Sequence, residues 1–307
     1  MMPSRRDILT LIASLSVSPA MAEDTLALRQ SRTLPRVATR VVALEFLIAE
    51  TLAMLDRPPI GMSDPKYYPG WIGLELDRLA GVTDVGTRQQ PSLEAIARLK
   101  PDLIIGLAYR HAPLFDVLES LAPTVLLEFG VGQTGTQLDA VLELIGMIGA
   151  YVGRDPEAAK IRAEVERSIA EDAARLAQAG RSGRRLVVLQ ELGGLDTYWV
   201  FTANSMSAGL AQRLGLDFWP KDRGRDGVRV LTSQELLALD DVDIALVSYS
   251  GPQVDLAAKT KSAAWAHVPA LAQGRVTLIE RNIWNFGGPA SARHLATRLT
   301  DMVLAAP

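Results

Sequence analysis

The sequence contains no cysteine. That absence excludes disulfides, thiolate nucleophiles and cysteine-ligated metal sites together. Histidine is nearly as scarce: His111, His267 and His294 are scattered, with no His-rich loop and no i, i+4 pair, so a zinc site would need three distant segments to converge. Charge of one sign is also lacking. Lys and Arg number 32 against 35 Asp and Glu, a formal net charge of −3, and the two signs are interspersed. No basic stripe is present to neutralise a phosphate backbone, so nucleic acid is not expected as a partner. Internal repeats and low-complexity stretches are missing. So are a nucleophile elbow, a zinc-protease helix motif and a phosphate loop, and the acidic pairs that occur have no motif around them. An enzyme therefore finds no support in the residues.

What is present begins with Ser4-Arg5-Arg6-Asp7-Ile8-Leu9, a twin-arginine pattern, followed by an apolar run from Ile8 to Val17 and then Ala20-Met21-Ala22. A charged head, a short apolar stretch and a small-residue site in that order make a cleavable export signal, too short to span a bilayer. Residues 1–22 are read as this signal. Its removal takes away two arginines and one aspartate and moves the net charge to −4. With no lipid-acceptor cysteine at the signal's end, the expectation is a soluble, untethered, monomeric protein of the periplasm.

The remainder has the composition of a globular chain, with 48% hydrophobic and 22% charged residues. Short β-branched runs alternate with helical patterns. Val37 to Ala43, Ile60 to Met62, Leu103 to Leu107 and Thr124 to Leu127 read as buried parallel strands. After Gly183 the pattern restarts at Arg185 to Gln190, Trp199 to Phe201, Ile244 to Val247 and Val276 to Ile279. The fold class is therefore α/β with two lobes, 23–154 and 181–307, each built on a mostly parallel sheet. Between them, Asp155-Pro156-Glu157 is a helix start, and no Gly or Pro follows until Gly180. A single connecting helix within 155–180, about 36 Å long for roughly 24 residues at 1.5 Å per residue, would brace the lobes and limit hinge motion. Gly61 to Gly73, rich in Pro, Tyr and Trp, reads as a loop lining a cleft. Asn204-Ser205 reads as a helix N-cap.

Three segments carry a resemblance. Asp84-Val85-Gly86-Thr87-Arg88-Gln89-Gln90-Pro91-Ser92-Leu93-Glu94-Ala95-Ile96, with Lys100-Pro101-Asp102-Leu103-Ile104 after it, is similar to a segment of the periplasmic binding proteins that serve ABC importers of iron(III) chelates. Arg88, together with Tyr109 in Gly106-Leu107-Ala108-Tyr109, resembles the ligand-binding pair of the iron(III)-hydroxamate siderophore binders. Ile283-Trp284-Asn285-Phe286-Gly287-Gly288 with Ser291, Ala292 and His294 resembles their late tryptophan loop and the helix after it. Two departures bear on the cargo. Asp226-Gly227 stands where those relatives carry a further cleft tryptophan, with Trp219 the nearest aromatic, and Phe286 stands where they carry a tyrosine.

The resemblance implies a helical-backbone (class III) binding protein with no intrinsic cofactor. Its ligand would be an iron(III) siderophore, most directly a hydroxamate, and its partner an inner-membrane ABC permease. A trishydroxamate holds its own iron, so the protein would supply no metal ligand. It would supply Arg88 as a permanently charged two-pronged donor, Tyr109 as a neutral donor on a rigid ring, and aromatic walls from Trp71, Trp219, Trp284 and Phe286. Taken alone, Arg88 also suits a turn cap, Tyr109 a strand-end packing residue, and the aromatics a core or lobe interface. Trp199 and Trp265 read as structural. A catecholate complex, haem or a corrinoid is an alternative cargo on the same fold. Arg88 is the one cleft cation the sequence places. For permease docking the resemblance points to Asp116 and, one residue from the matching position, Glu235.

Overall fold

The computed structural model describes residues 27–129, 135–192, 197–248, 256–261, 263–279 and 284–307. The proposed signal at 1–22 and Ile283 of the third motif lie outside them. Six strands form the first sheet: β1 (Ala27–Gln30), β2 (Val41–Ala43), β3 (Gly61–Met62), β4 (Thr83–Asp84), β5 (Leu103–Leu107) and β6 (Thr124–Leu127). Their order is β1-β6-β5-β2-β3-β4. Only β1 runs antiparallel to its neighbour; β6, β5, β2, β3 and β4 are all parallel. Every residue of β5 and β6 is buried, as expected for strands covered by helices on both faces. The β-strand expected from Val37 is shorter than its apolar run and starts only at Val41.

The second sheet comprises β7 (Arg185–Glu191), β8 (Tyr198–Phe201), β9 (Asp217–Phe218), β10 (Val228–Leu231), β11 (Asp243–Val247) and β12 (Val276–Ile279). Its order is β10-β8-β7-β11-β12, with β9 beside the start of β7. Here β11 pairs in parallel with both β7 and β12, while β8 is antiparallel to β7 and β10. The reversal at β8 turns one edge of the sheet into a meander that reaches toward the first lobe.

Helices of the first lobe are α1 (Phe46–Met54), α2 (Tyr68–Trp71), α3 (Leu93–Leu99), α4 (Ala108–His111), α5 (Phe115–Leu121) and α6 (Gln137–Tyr151). The long α7 (Asp155–Gln178) follows, and then α8 (Met206–Arg213), α9 (Ser233–Leu237), α10 (Leu256–Lys259), α11 (Pro269–Ala272) and α12 (Pro289–Ala305). Local signals fix several starts. Ser92 Oγ accepts the Ala95 N–H at the head of α3, and Ser205 Oγ caps α8 through the Ala208 N–H. Thr136 with Asp139 and Thr232 with Glu235 form reciprocal capping boxes on α6 and α9.

On α7 the buried residues are Ala158, Ile161, Val165, Ile169, Asp172 and Leu176, a spacing of three and four that lays one apolar stripe along its length. It does not brace the lobes alone. It packs along α6 on one side and α12 on the other, and α12 also touches α1 and α8. One continuous core runs from Leu103 and Ile105 in the first sheet, through these helices, to Leu186, Val188 and Val247 in the second. Period-two alternation puts Val187, Leu189, Ile244 and Leu246 on the opposite face, in a separate outer core around Trp265. Buried Asp172 ties the helical layer together by bonding Arg175 at 2.7 Å and the Thr297 hydroxyl of α12 at 2.9 Å.

Candidate ligand-binding site

Between the lobes lies a cavity of about 430 Å3. Its first-lobe wall presents Arg88, Tyr109, Arg110, Glu45 and Trp71; its second-lobe wall presents Gln190, Trp199, Asp226, Trp284 and Phe286. Five of the six ligand residues expected from the sequence thus share one space. Trp219 does not. It packs against the outer core of the second sheet and lines a separate recess with Val187, Glu235 and Leu239, so its expected place in the cleft is corrected. Proximity in sequence to Asp226 misled there, because β9 and β10 diverge. Trp199, read as structural, takes the cleft position instead. Along β8 the alternation buries Tyr198 and Val200 in the outer core and turns Trp199 to the cleft, a signal present in the sequence Tyr-Trp-Val-Phe.

Arg88 is held on several sides. Its backbone N–H and its Nε both donate to Asp64 Oδ2 at 3.0 Å, and its guanidinium lies 4.0 Å from the Phe46 ring and within 4.0 Å of Glu45. His111 holds the same loop from behind. Its Nδ1 accepts the Leu107 N–H at 3.0 Å, so its Nε2 carries the proton and donates to the Arg88 carbonyl at 2.9 Å. Burial pushes the imidazole pKa down to about 4, which keeps it neutral and the tautomer fixed.

Tyr109 and Arg110 extend from α4 directly after β5. Arg110 Nε bonds Glu45 at 2.5 Å, and its terminal nitrogen donates to the Tyr109 oxygen at 2.6 Å. The tyrosine oxygen accepts there, which leaves its own O–H to donate outward. Desolvation at the cleft, with the Glu45 charge nearby, pushes the phenol up to about 12, so it is a neutral donor at neutral pH. Glu45 itself is buried, and burial holds its carboxyl above the usual range although Arg110 and Arg88 both pull it down. Arg110 is the cleft cation that sequence reading left unplaced.

Apolar contact comes from a chain of rings. Trp71 and Trp284 have centroids 4.7 Å apart, Trp284 and Phe286 5.3 Å, and Phe286 and Phe201 5.9 Å, within the range of favourable aromatic pairs. The loop bearing Trp284 and Phe286 is anchored by a residue the sequence reading did not single out. Glu50 of α1, fully buried, accepts the Gly288 N–H at 3.0 Å, the Ser291 N–H at 2.7 Å and the Ser291 hydroxyl at 2.7 Å. A first-lobe carboxylate therefore caps the last helix at its positive end. Gly288 must be glycine for this approach, since a Cβ there would sit 2.9 Å from the Leu47 carbonyl.

Among the described residues no group of three His, Cys, Asp or Glu could hold a metal ion. His111 is buried against β5, and His267 is exposed near Trp265. What the arrangement can do is wrap a compact, mostly neutral body: donors from Arg88, Arg110 and Tyr109 on one side, rings and glutamine amides on the other. The carboxylates considered for docking are not among the residues lining the cavity. Asp116 is highly exposed and pairs with Arg29 at 2.5 Å; Glu235 is committed to its capping box and to Arg229 at 2.9 Å.

This architecture recurs in known proteins. The chain is 26% identical to the crystal structure of a Fe3+-Desferal-bound siderophore-binding protein FhuD from Vibrio cholerae, with a TM-score of 0.78 over 88% of this chain and 99% of that one. Among curated sequences it is 29% identical over 263 residues to the putative ABC transporter substrate-binding lipoprotein YhfQ of Bacillus subtilis, covering 82% of this chain and 79% of that protein. It is 25% identical over 271 residues to the iron(3+)-hydroxamate-binding protein FhuD of Escherichia coli, 86% of each chain. The family model described as periplasmic binding protein matches residues 41–282, from β2 to the edge of the late tryptophan loop. Two α/β lobes on a shared helical layer, with the cleft between them, are thus the class III form of the periplasmic binding protein family, to which this chain belongs.

Proposed function

We propose that this protein captures an iron(III)-siderophore complex, foremost a hydroxamate, in the periplasm and hands it to an inner-membrane ABC importer. The observation that carries the reading is the convergence of Arg88, Arg110 and Tyr109 on one wall of a ring-lined cavity. A trishydroxamate shell is formally neutral and offers only oxygens, which suits donors whose charges are already balanced by Glu45 and Asp64. The named relatives FhuD of Escherichia coli and Vibrio cholerae support the same cargo class. The twin-arginine segment supports export, and the absence of a lipid-acceptor cysteine supports an untethered protein.

Delivery would use one carboxylate on each lobe. Asp116, the more exposed of the two, would exchange Arg29 for a permease arginine, and Glu235 would have to leave Arg229 to serve the same purpose. The test of the cargo is a tryptophan-fluorescence titration with ferric hydroxamate, ferric catecholate, ferric citrate and haem, since Trp71, Trp199 and Trp284 all line the cavity. Quenching at low micromolar or tighter concentrations by the hydroxamate is expected. A response to catecholate or haem alone would reassign the ligand.

A further inference from the structure

Asp226 stands on the second-lobe wall of the cavity, at the departure from the relatives' pattern noted in the sequence. Its carboxylate has no ion pair and no hydrogen bond among the described residues, and its Oδ1 is buried. Unsatisfied buried oxygens are few in folded proteins and call for a partner. Its backbone sits at φ 55°, in the left-handed region, and is followed by Gly227 at φ 76°. Gln137 at the head of α6 fixes that turn by donating to the Asp226 carbonyl at 3.0 Å. A Cβ on Gly227 would lie 2.9 Å from the same glutamine. A residue outside the regular strands is thus locked with its charge at the cavity.

Charge is felt across that space: Asp226 contributes to raising both the Tyr109 phenol and the half-buried Glu128 carboxyl. The cleft cations do not answer it, because Arg88 is taken by Asp64 and Arg110 by Glu45. Among the described residues, the second-lobe side of the cleft therefore carries surplus negative charge, while the opposite side offers donors to a neutral oxygen shell.

We propose that Asp226 recognises a cationic appendage on the ligand, so that the cleft prefers a ferric hydroxamate bearing a pendant ammonium over a neutral or anionic complex of the same size. This rests on the hydroxamate reading and adds the charge of the cargo to it. The iron(III) complex of desferrioxamine B, which ends in a primary ammonium, and its N-acetylated form, which is neutral there, are otherwise alike. Calorimetric titration of both into the wild-type protein and Asp226→Asn is the test. Asparagine tolerates the left-handed backbone, so the turn survives the substitution, and an unchanged melting temperature checks this. The wild type should bind the ammonium form about 5- to 20-fold tighter, as one charge-assisted contact allows. The preference should shrink in high salt and vanish in Asp226→Asn. Equal affinities in the wild type, or a preference that survives in Asp226→Asn, would overturn the proposal. Failure of both complexes to bind the wild type would instead overturn the hydroxamate reading on which it stands.

Discussion

Arg88 is the residue on which the site turns, and its surroundings say what its loss would do. Asp64 fixes its Nε while its terminal nitrogens remain near the cavity. Removing a charge-assisted donor costs about 1.5 to 3 kcal/mol, so Arg88→Ala is expected to weaken ferric hydroxamate binding roughly 10- to 150-fold. Unchanged affinity by calorimetry would dismiss Arg88 as a contact. His111 makes a separate prediction, through pH. Its folded pKa of about 4 lies below the unfolded value near 6.5, so the unfolded chain binds the extra proton first. The neutral imidazole's contribution is therefore complete above about pH 6.5 and is lost as the pH falls toward 4, by up to about 3 kcal/mol. Burial pushes Glu45 and Glu50 the other way, so the comparison must be between variants. His111→Gln is expected to be less stable at neutral pH and to lose less on acidification than the wild type, read as melting temperature from pH 7 to 4. Parallel curves would contradict the assignment.

At the scale of elements, the loop before α12 is held by a carboxylate from the other lobe. Glu50→Gln keeps the shape but replaces one acceptor oxygen with a donor facing an N–H or hydroxyl, at a cost of about 2 kcal/mol. The expected readouts are a lower melting temperature and an altered Trp284 emission, with weaker ligand binding. Normal emission and affinity would mean that the loop holds itself. Glu50 was invisible in the sequence because its partners, Gly288 and Ser291, lie some 240 residues away. Elements with their own signals were legible: the apolar runs of β5, β6, β11 and β12, the capped start of α8, and the uninterrupted α7. Those lacking them were not. β1 has an unremarkable sequence and exists through pairing with β6, and β4 is two exposed residues completed by β3. In the site, Arg88, Tyr109 and Trp284 were legible as motifs, whereas Arg110 and Asp226 became site residues only through the ion pairs they make or lack.

For the whole molecule, the helical layer of α1, α6, α7, α8 and α12 and the continuous core through it leave little freedom for the lobes to swing. Solution scattering should show almost no ligand-induced change in the radius of gyration; a large decrease would require a hinge that this core forbids. Docking can be probed without touching the cleft. Asp116→Lys combined with Glu235→Gln, which preserves the α9 capping box, should leave siderophore affinity intact while uptake in cells falls. Full uptake would remove these two carboxylates from the delivery model.

Capture of the iron-loaded chelate as a preformed body with a neutral oxygen shell is the claim beneath all of these. Calorimetry with the same hydroxamate siderophore, with and without iron(III), tests it most directly. The fixed donors of Arg88, Arg110 and Tyr109 suit a rigid oxygen shell, and an iron-free chain would also have to lose its conformational freedom on binding. The expected result is tight binding of the iron-loaded form and at least 100-fold weaker binding of the free one, about 2.7 kcal/mol apart. Equal affinities, or binding of the iron-free form alone, would contradict the account.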